Sequence, residues 1–401
     1  MSCGSRMWMW VSSHSTPPSL PDPQPTTHPH NMTTLTFLIL CLEGAVLSFN
    51  VAAAAALVPS IAKDFALSQF LVGRIVWLYM LPYGISALLY GPLVRAFDAK
   101  RVELFCLFFF SCANLLAAFA RDINILFVAR ILMGIFGASV IPLGLILIGK
   151  HIETQKRGEY VGLFFGATFV ASLLGLFLSG IIPWRMIFLI PGIAGFILIL
   201  VMSLFLPSFK KDATGFKVNY AVALKDRNVL IVFTYIFIVS LLYHGIQQWL
   251  GVYFSKGFAL SQFSISMLIT LTSLSGIFGE VIGGKFADLL GRIKAIDTGV
   301  ILMALSAFLL MLHSPLLILA LLMVIWGVGW TFNHAGLSTL LTDMPKEYLH
   351  EAASLNSSVR FISGGLGAAL GGALMQQSFV LGLTVFGICL ISLLFLSKKL
   401  R

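Results

Sequence analysis

From Leu35 onward the chain alternates between long apolar runs and brief polar turns. Each run approaches the roughly 20 residues that a helix needs to cross the hydrocarbon core of a bilayer, and twelve can be marked off. In the first half they are predicted at Leu35–Val58, Phe70–Gly91, Val102–Phe119, Ile123–Gly149, Tyr160–Ile182 and Arg185–Leu206. In the second half they are predicted at Val229–Gly251, Phe263–Gly284, Ala295–Leu312, Leu316–Leu341, Ala352–Met375 and Phe379–Ser397. The pattern predicts an all-α polytopic membrane protein. Its longest internal polar stretch, Pro207–Asn228, carries Lys210, Lys211, Lys217, Lys225 and Arg227 and reads as a linker between six-helix halves, residues 32–206 and 229–401. Residues 1–31 depart from the pattern: Ser, Thr, His and Pro dominate, which predicts a disordered tail. No apolar stretch of signal-peptide length precedes Met32, itself a candidate start.

Composition sharpens this picture. Of 401 residues, 58% are hydrophobic and only 10% charged, an excess of apolar surface over what one soluble core needs. The formal charge of +10 is gathered in short clusters between spans, a pattern suited to a lipid surface and not to nucleic acid. Arg95, Lys100, Arg101, Lys150, Lys156, Arg157, the linker cluster, Lys285, Arg292, Lys294, Lys346, Lys398, Lys399 and Arg401 fall on one side. The other side carries Lys63, Arg121, Arg185 and Lys256. Positive charge marks the cytoplasmic side, so both termini are expected inside, in a bacterial cytoplasmic membrane. The five cysteines have no metal-ligand spacing, so neither metal, disulfide framework nor cofactor is expected.

The turn after the eighth run reads Gly284-Lys-Phe-Ala-Asp288-Leu-Leu-Gly291-Arg292-Ile-Lys294. Glycines there allow two helix ends to approach closely, and basic residues rest at the headgroups. It resembles the G-x-x-x-D-[RK]-x-G-R-[RK] loop of the major facilitator superfamily, with Leu289 in place of the first basic residue. A degraded copy, Gly91-Pro-Leu-Val-Arg95-Ala-Phe-Asp98-Ala-Lys100, follows the second run, so the two halves read as repeats. Arg95 stands there at the Asp position. Arg130-Ile-Leu-Met133-Gly134 is similar to the R-x-x-x-G motif of helix 4 in that family, and Trp184-Arg185 with Phe188 is similar to many of its drug exporters. The antiporter Gly-Pro pair is missing, since Leu176 follows Gly175. In the fifth run, Gly162, Gly166, Gly175 and Gly180 are expected to make a close-packing face. The resemblance implies a cytoplasmic gate built from Gly91, Arg95, Asp98, Gly284, Asp288, Gly291 and Arg292, with Glu351 compensating for Arg95.

Polar residues inside apolar runs are the candidate site. Glu43 and Asn50 are seven residues apart and share one helical face, expected to look into a cavity. An ionised carboxylate there costs a few kcal/mol, so Glu43 is expected to be protonated or paired, and is the candidate proton carrier. Arg130 is expected to assist proton release, with His244 and His334 as alternatives. A polar stripe of Ser240, His244, Gln247 and Gln248 in the seventh run, and Trp326, Trp330, Asn333 and His334 in the tenth, suggest a wall for amphipathic solutes. Glu280 and Arg360 are expected to pair, with Asn356 completing the network. No H-E-x-x-H or G-x-S-x-G motif is present, so an enzyme is not expected. The reading is a monomeric transporter, with proton-coupled efflux of small amphipathic solutes first. Symport of a sugar or organic acid, and a membrane sensor that has lost transport, remain open beside it.

Overall fold

Helix starts are written into the turns. Thr33, Asp98, Asp122, Asp226, Ser261 and Ser378 each accept a hydrogen bond from a first-turn N–H, a cap that contributes about 1 kcal/mol. The structure, a computed structural model, describes residues 32–153, 156–208, 225–342 and 349–400. Within them the apolar runs form twelve helical spans. These are α1 (Thr34–Ser48 and Ala53–Asp64), α2 (Gln69–Val72 and Arg74–Ala96), α3 (Ala99–Ala118), α4 (Ile123–Gly137 and Val140–His151), α5 (Arg157–Leu178) and α6 (Trp184–Phe205). The second set is α7 (Arg227–Gln247 and Leu250–Phe258), α8 (Gln262–Leu290), α9 (Arg292–Leu309), α10 (Leu316–Thr342), α11 (Leu349–Gln377) and α12 (Phe379–Ser397). Eleven are long and apolar enough to cross a membrane; α9 carries Arg292, Lys294 and Asp297 near its start. The chain is a multi-pass integral membrane protein. Leu89, Leu163, Phe278 and Phe395, each more than half exposed, belong to the apolar outer surface that lipid covers. The predicted tail and most of the predicted linker lie outside the described residues.

The packing repeats with a period of six helices. In the first half α1 lies on α5, α2 on α4, and α3 on both α4 and α6; in the second, α7 lies on α11, α8 on α10, and α9 on both α10 and α12. The breaks repeat as well. The break in α1 at residues 49–52 exposes the Phe49 carbonyl, and a Cβ on Gly175 of α5 would collide with it. In α7 the chain breaks at residues 248–249, and Gly371 of α11 backs against the Gly245 carbonyl in the same way. The predicted glycine face of α5 is therefore corrected: Gly175 and Gly180 make close contacts, whereas Gly162 and Gly166 meet nothing within 4 Å.

Both described chain ends lie at one end of the bundle, here the terminal end; the opposite end is distal. Arg74, at the start of the long segment of α2, is a distal basic residue that the sequence count passed over. The halves touch along α2 and α11 and, distally, between the second segments of α1 and α7, with further contacts of α8 on α1 and α5. Distal hydrogen bonds run from Gln69 Nε2 to Ser255 Oγ (3.0 Å), from Ser60 Oγ to Gln262 Oε1 (3.0 Å) and from Gln262 Nε2 to the Ala56 carbonyl (2.9 Å). The hydroxyls of Ser179 and Ser266 add a fourth at 2.9 Å. Pro59, lacking an N–H, leaves the Ala55 carbonyl free inside α1, and Gly251 of α7 packs on it. Among the described residues, the first segment of α1, the second of α4, and α10 make no comparable contact across the halves. The described halves are thus held together distally, with fewer contacts towards the terminal end.

Candidate functional site

The second half presents an aromatic and charged cluster built from four helices. Tyr243 of α7 stacks on Trp330 of α10 (centroids 3.9 Å apart, planes 14° apart) and on Trp326 one turn away (5.3 Å, 12°). Trp326 donates its Nε1–H to Gln247 Oε1 at 2.7 Å, which fixes α7 against α10. His244 meets the edge of Trp330, and the Arg360 guanidinium of α11 lies 5.7 Å from the Trp330 ring. Arg360 Nε donates to Asn356 Oδ1 at 2.8 Å, as expected, while both Nη atoms are buried without a partner.

Glu280 makes no hydrogen bond to Arg360, although the two still act on each other electrostatically. Its Oε1 lies 2.8 Å from His334 Nδ1, with the side chains 42% and 33% exposed. The cause is topological: α8 packs along α10, so its carboxylate reaches His334 first, and Arg360 is held by its own helix one turn away. Asn333 is also corrected. It is fully buried, donates to the Ile296 carbonyl of α9 at 3.3 Å, and so points away from the cluster that His334 faces. Gln248 stands half-buried at the α7 break.

In the first half Asn50 sits in the α1 break and donates to Asn114 Oδ1 of α3 at 2.6 Å. Glu43, two turns away, is 1% exposed and neither of its oxygens has a partner. The two do share a face, but it is turned into the bundle towards α3 and is sealed, not open to a cavity between the halves. Arg130 of α4 is also fully buried. Its Nε donates to the Ile75 carbonyl at 3.0 Å and its guanidinium lies 4.3 Å from the Tyr79 ring. Among the described residues it makes no ion pair with Glu43.

Sequence reasoning passed over Glu103, which is fully buried in α3, again with both oxygens unpartnered. The predicted third run, Val102–Phe119, put Glu103 at its very edge, and nothing in the sequence set it apart from the basic turn beside it. Its N-cap, Asp98, starts the helix at Ala99 and carries Glu103 more than a turn inside. Tyr243 was missed too; the signal was an aromatic adjoining His244 in an apolar run.

At the terminal end the two loops differ. Gly291 has φ +102°, a backbone state that a Cβ disfavours, which accounts for glycine at that point of the motif. Gly284 meets nothing within 4 Å, and Asp288 is exposed and bonds no helix N-terminus among the described residues. In the degraded copy Asp98 caps α3 and accepts a hydrogen bond from Ser208. Lys100 Nζ donates to the Leu206 carbonyl at 2.6 Å and the Ser203 carbonyl at 3.0 Å, closing the end of α6. Arg292 opens α9. The surroundings of Gly91 and the side chains of Arg95 and Glu351 lie outside what is described, and the expected compensation between the last two with them. At the distal end Trp184 and Arg185 both bind Asp64, and Arg185 also reaches the Ala118 and Ala120 carbonyls.

Twelve spans in two repeated halves are the architecture of a membrane transporter. The chain belongs to the Major Facilitator Superfamily, whose family model matches residues 40–372. It is 24% identical over 337 residues to the MFS-type transporter YwfA of Bacillus subtilis, covering 81% of this chain and 80% of that one. It is 23% identical over 355 residues to the purine ribonucleoside efflux pump NepI of Salmonella typhimurium, covering 86% and 88%. A bacterial homologue of the human lysosomal transporter Spinster, solved inward-facing, superposes with a TM-score of 0.72 at 13% identity, over 91% of this chain and 95% of that one. The last likeness speaks for the fold alone. Members of the superfamily move solutes and are not enzymes.

Proposed function

We propose that this transporter is a proton-linked exporter of small amphipathic organic solutes in a bacterial cytoplasmic membrane, caught here open to the cytoplasm. The reading rests chiefly on Glu43, a carboxyl group sealed in α1 with no partner for either oxygen. A group so placed is expensive to ionise, so binding and losing a proton changes the energy of the state that holds it. The excess of Lys and Arg at the terminal end supports a cytoplasmic placement for it, and NepI supports the direction. One charge moved through 100 mV supplies about 2.3 kcal/mol, enough for roughly a fifty-fold gradient. The Tyr243, Trp326 and Trp330 stack, with Glu280–His334 and Arg360 beside it, is the solute wall. The two free Nη atoms of Arg360 favour a second reading, in which the solute carries an acidic group.

The test is Glu43→Gln in proteoliposomes, with a library of labelled solutes and an imposed pH gradient. Gln keeps shape and hydrogen-bonding capacity but fixes a neutral state. Exchange of solute across the membrane is expected to survive while pH-driven accumulation is lost. Full proton-driven flux in the variant would make Glu43 structural and move attention to His244 and His334.

A further inference from the structure

Glu103 has no place in the reading above, yet it is the other acid sealed in the first half. All four carboxylate oxygens of Glu43 and Glu103 are buried without a hydrogen-bond partner, and the two groups act on each other electrostatically. Cys106, one turn beyond Glu103, interacts with both and touches Tyr90 of α2 and Ser139 of α4. Asp98 also acts on Glu103 from the start of α3. No charged group of α4, α5 or α6 acts on either carboxyl among the described residues, since the Arg130 side chain of α4 is spent on Ile75 and Tyr79.

At corresponding places in the second half stand Tyr235 of α7, Asp297 of α9 and Asn333 of α10; Tyr235 interacts with both of the others, and Asp297 Oδ1 and the Tyr235 hydroxyl are also buried without a hydrogen-bond partner. Where the second half carries one such acid, the first carries two.

A cavity of about 770 Å³ lies between α2, α3 and α4. Its inner wall includes Tyr90 and Cys106, and its rim at the terminal end is Asp98, Arg101 and Ser208. Cys106 therefore stands between this cavity and the two carboxyls. Asp98, Arg101 and Ser208 can hold water at the rim, while Leu89, Leu93, Phe97, Phe105 and Phe136 make much of the remaining lining apolar.

We propose that Glu43 and Glu103 form one two-carboxylate proton site, and that the cavity behind Cys106 is its passage to water at the terminal end. Two neighbouring carboxyls buried without a hydrogen-bond partner cannot both ionise, so the pair keeps one proton and trades the other. One proton per cycle follows. This deepens the proton-linked reading and rests on it for its transport meaning, but the pairing is measurable without transport.

Infrared difference spectroscopy of the reconstituted protein during a pH titration reads the carbonyl stretch of protonated carboxyls. Glu43→Gln and Glu103→Gln are each expected to remove one contribution and to displace the midpoint of the remaining one by about tenfold or more in proton concentration, the mark of coupled sites. Contributions that simply add would overturn the pairing. Should Glu103→Gln not fold, Glu103→Asp keeps the carboxyl and is read against Glu43→Gln in the same way, where an unmoved midpoint overturns it. For the passage, Leu93→Trp together with Ser86→Phe narrows the cavity, and transfer to heavy water should then shift the carboxyl band about tenfold more slowly than in the parent; an unchanged rate refutes this route. If the sites are coupled but Glu43→Gln still sustains full proton-driven flux, the pairing stands and the transport reading fails.

Discussion

At the scale of single residues, Arg130 shows how a buried cation is kept without a carboxylate. One backbone carbonyl, the Met133 sulfur and the face of Tyr79 hold it, and a desolvated cation–π contact contributes about 2 kcal/mol. Tyr79→Phe, which keeps the ring, should leave thermal unfolding of the purified protein nearly unmoved. Tyr79→Leu should lower its stability by about 2 kcal/mol, and equal behaviour of the two would show that the ring does not hold the charge. Arg130, Glu43, His334 and Arg360 stood out in the sequence because each interrupts an apolar run. Their partners did not. Whether Glu280 meets Arg360 or His334 depends on which helices are neighbours, and the depth of Glu103 depends on a cap four residues outside its predicted helix.

At the scale of elements, the twelve spans were legible because a bilayer demands length and apolarity, and both are written in one dimension. The breaks were not, since Asn50 and Gln248 look like ordinary interior polar residues until a glycine of another helix meets the backbone beside them. That contact is testable. Gly371→Ala should push α11 off the Gly245 carbonyl and Gly367→Ala should push it off the Leu241 carbonyl, each costing about 1–3 kcal/mol by overpacking. Gly166→Ala, facing open space, should be neutral or slightly stabilising in helix propensity. Thermal unfolding of the three variants side by side decides the matter, and a loss at Gly166 equal to that at Gly371 would show that packing is not the cause.

For the whole molecule, the repeat and the family were readable from two loops, but which end is closed was not, because that depends on the mutual rotation of the halves. The distal seal gives a direct measurement. With the native cysteines replaced, Gln69→Cys and Ser255→Cys should be joined across the halves by a short, reducible bis-methanethiosulfonate cross-linker, since Gln69 Nε2 reaches Ser255 Oγ at 3.0 Å while the shorter cysteine at 69 needs a bridge. Flux should stop and return on reduction; undiminished flux through the cross-linked protein would mean that the seal need not open. The paired breaks give that opening a mechanical form. Beyond residues 49–52 and 248–249, the outer segments of α1 and α7 grip each other, while their inner segments stay with their own bundles. Each span is thus a jointed strut with a knee, and the bundles can tilt while the struts flex at a few peptide torsions. Neither core must then be remade during a cycle, and amide exchange accelerated by turnover should gather at the two knees.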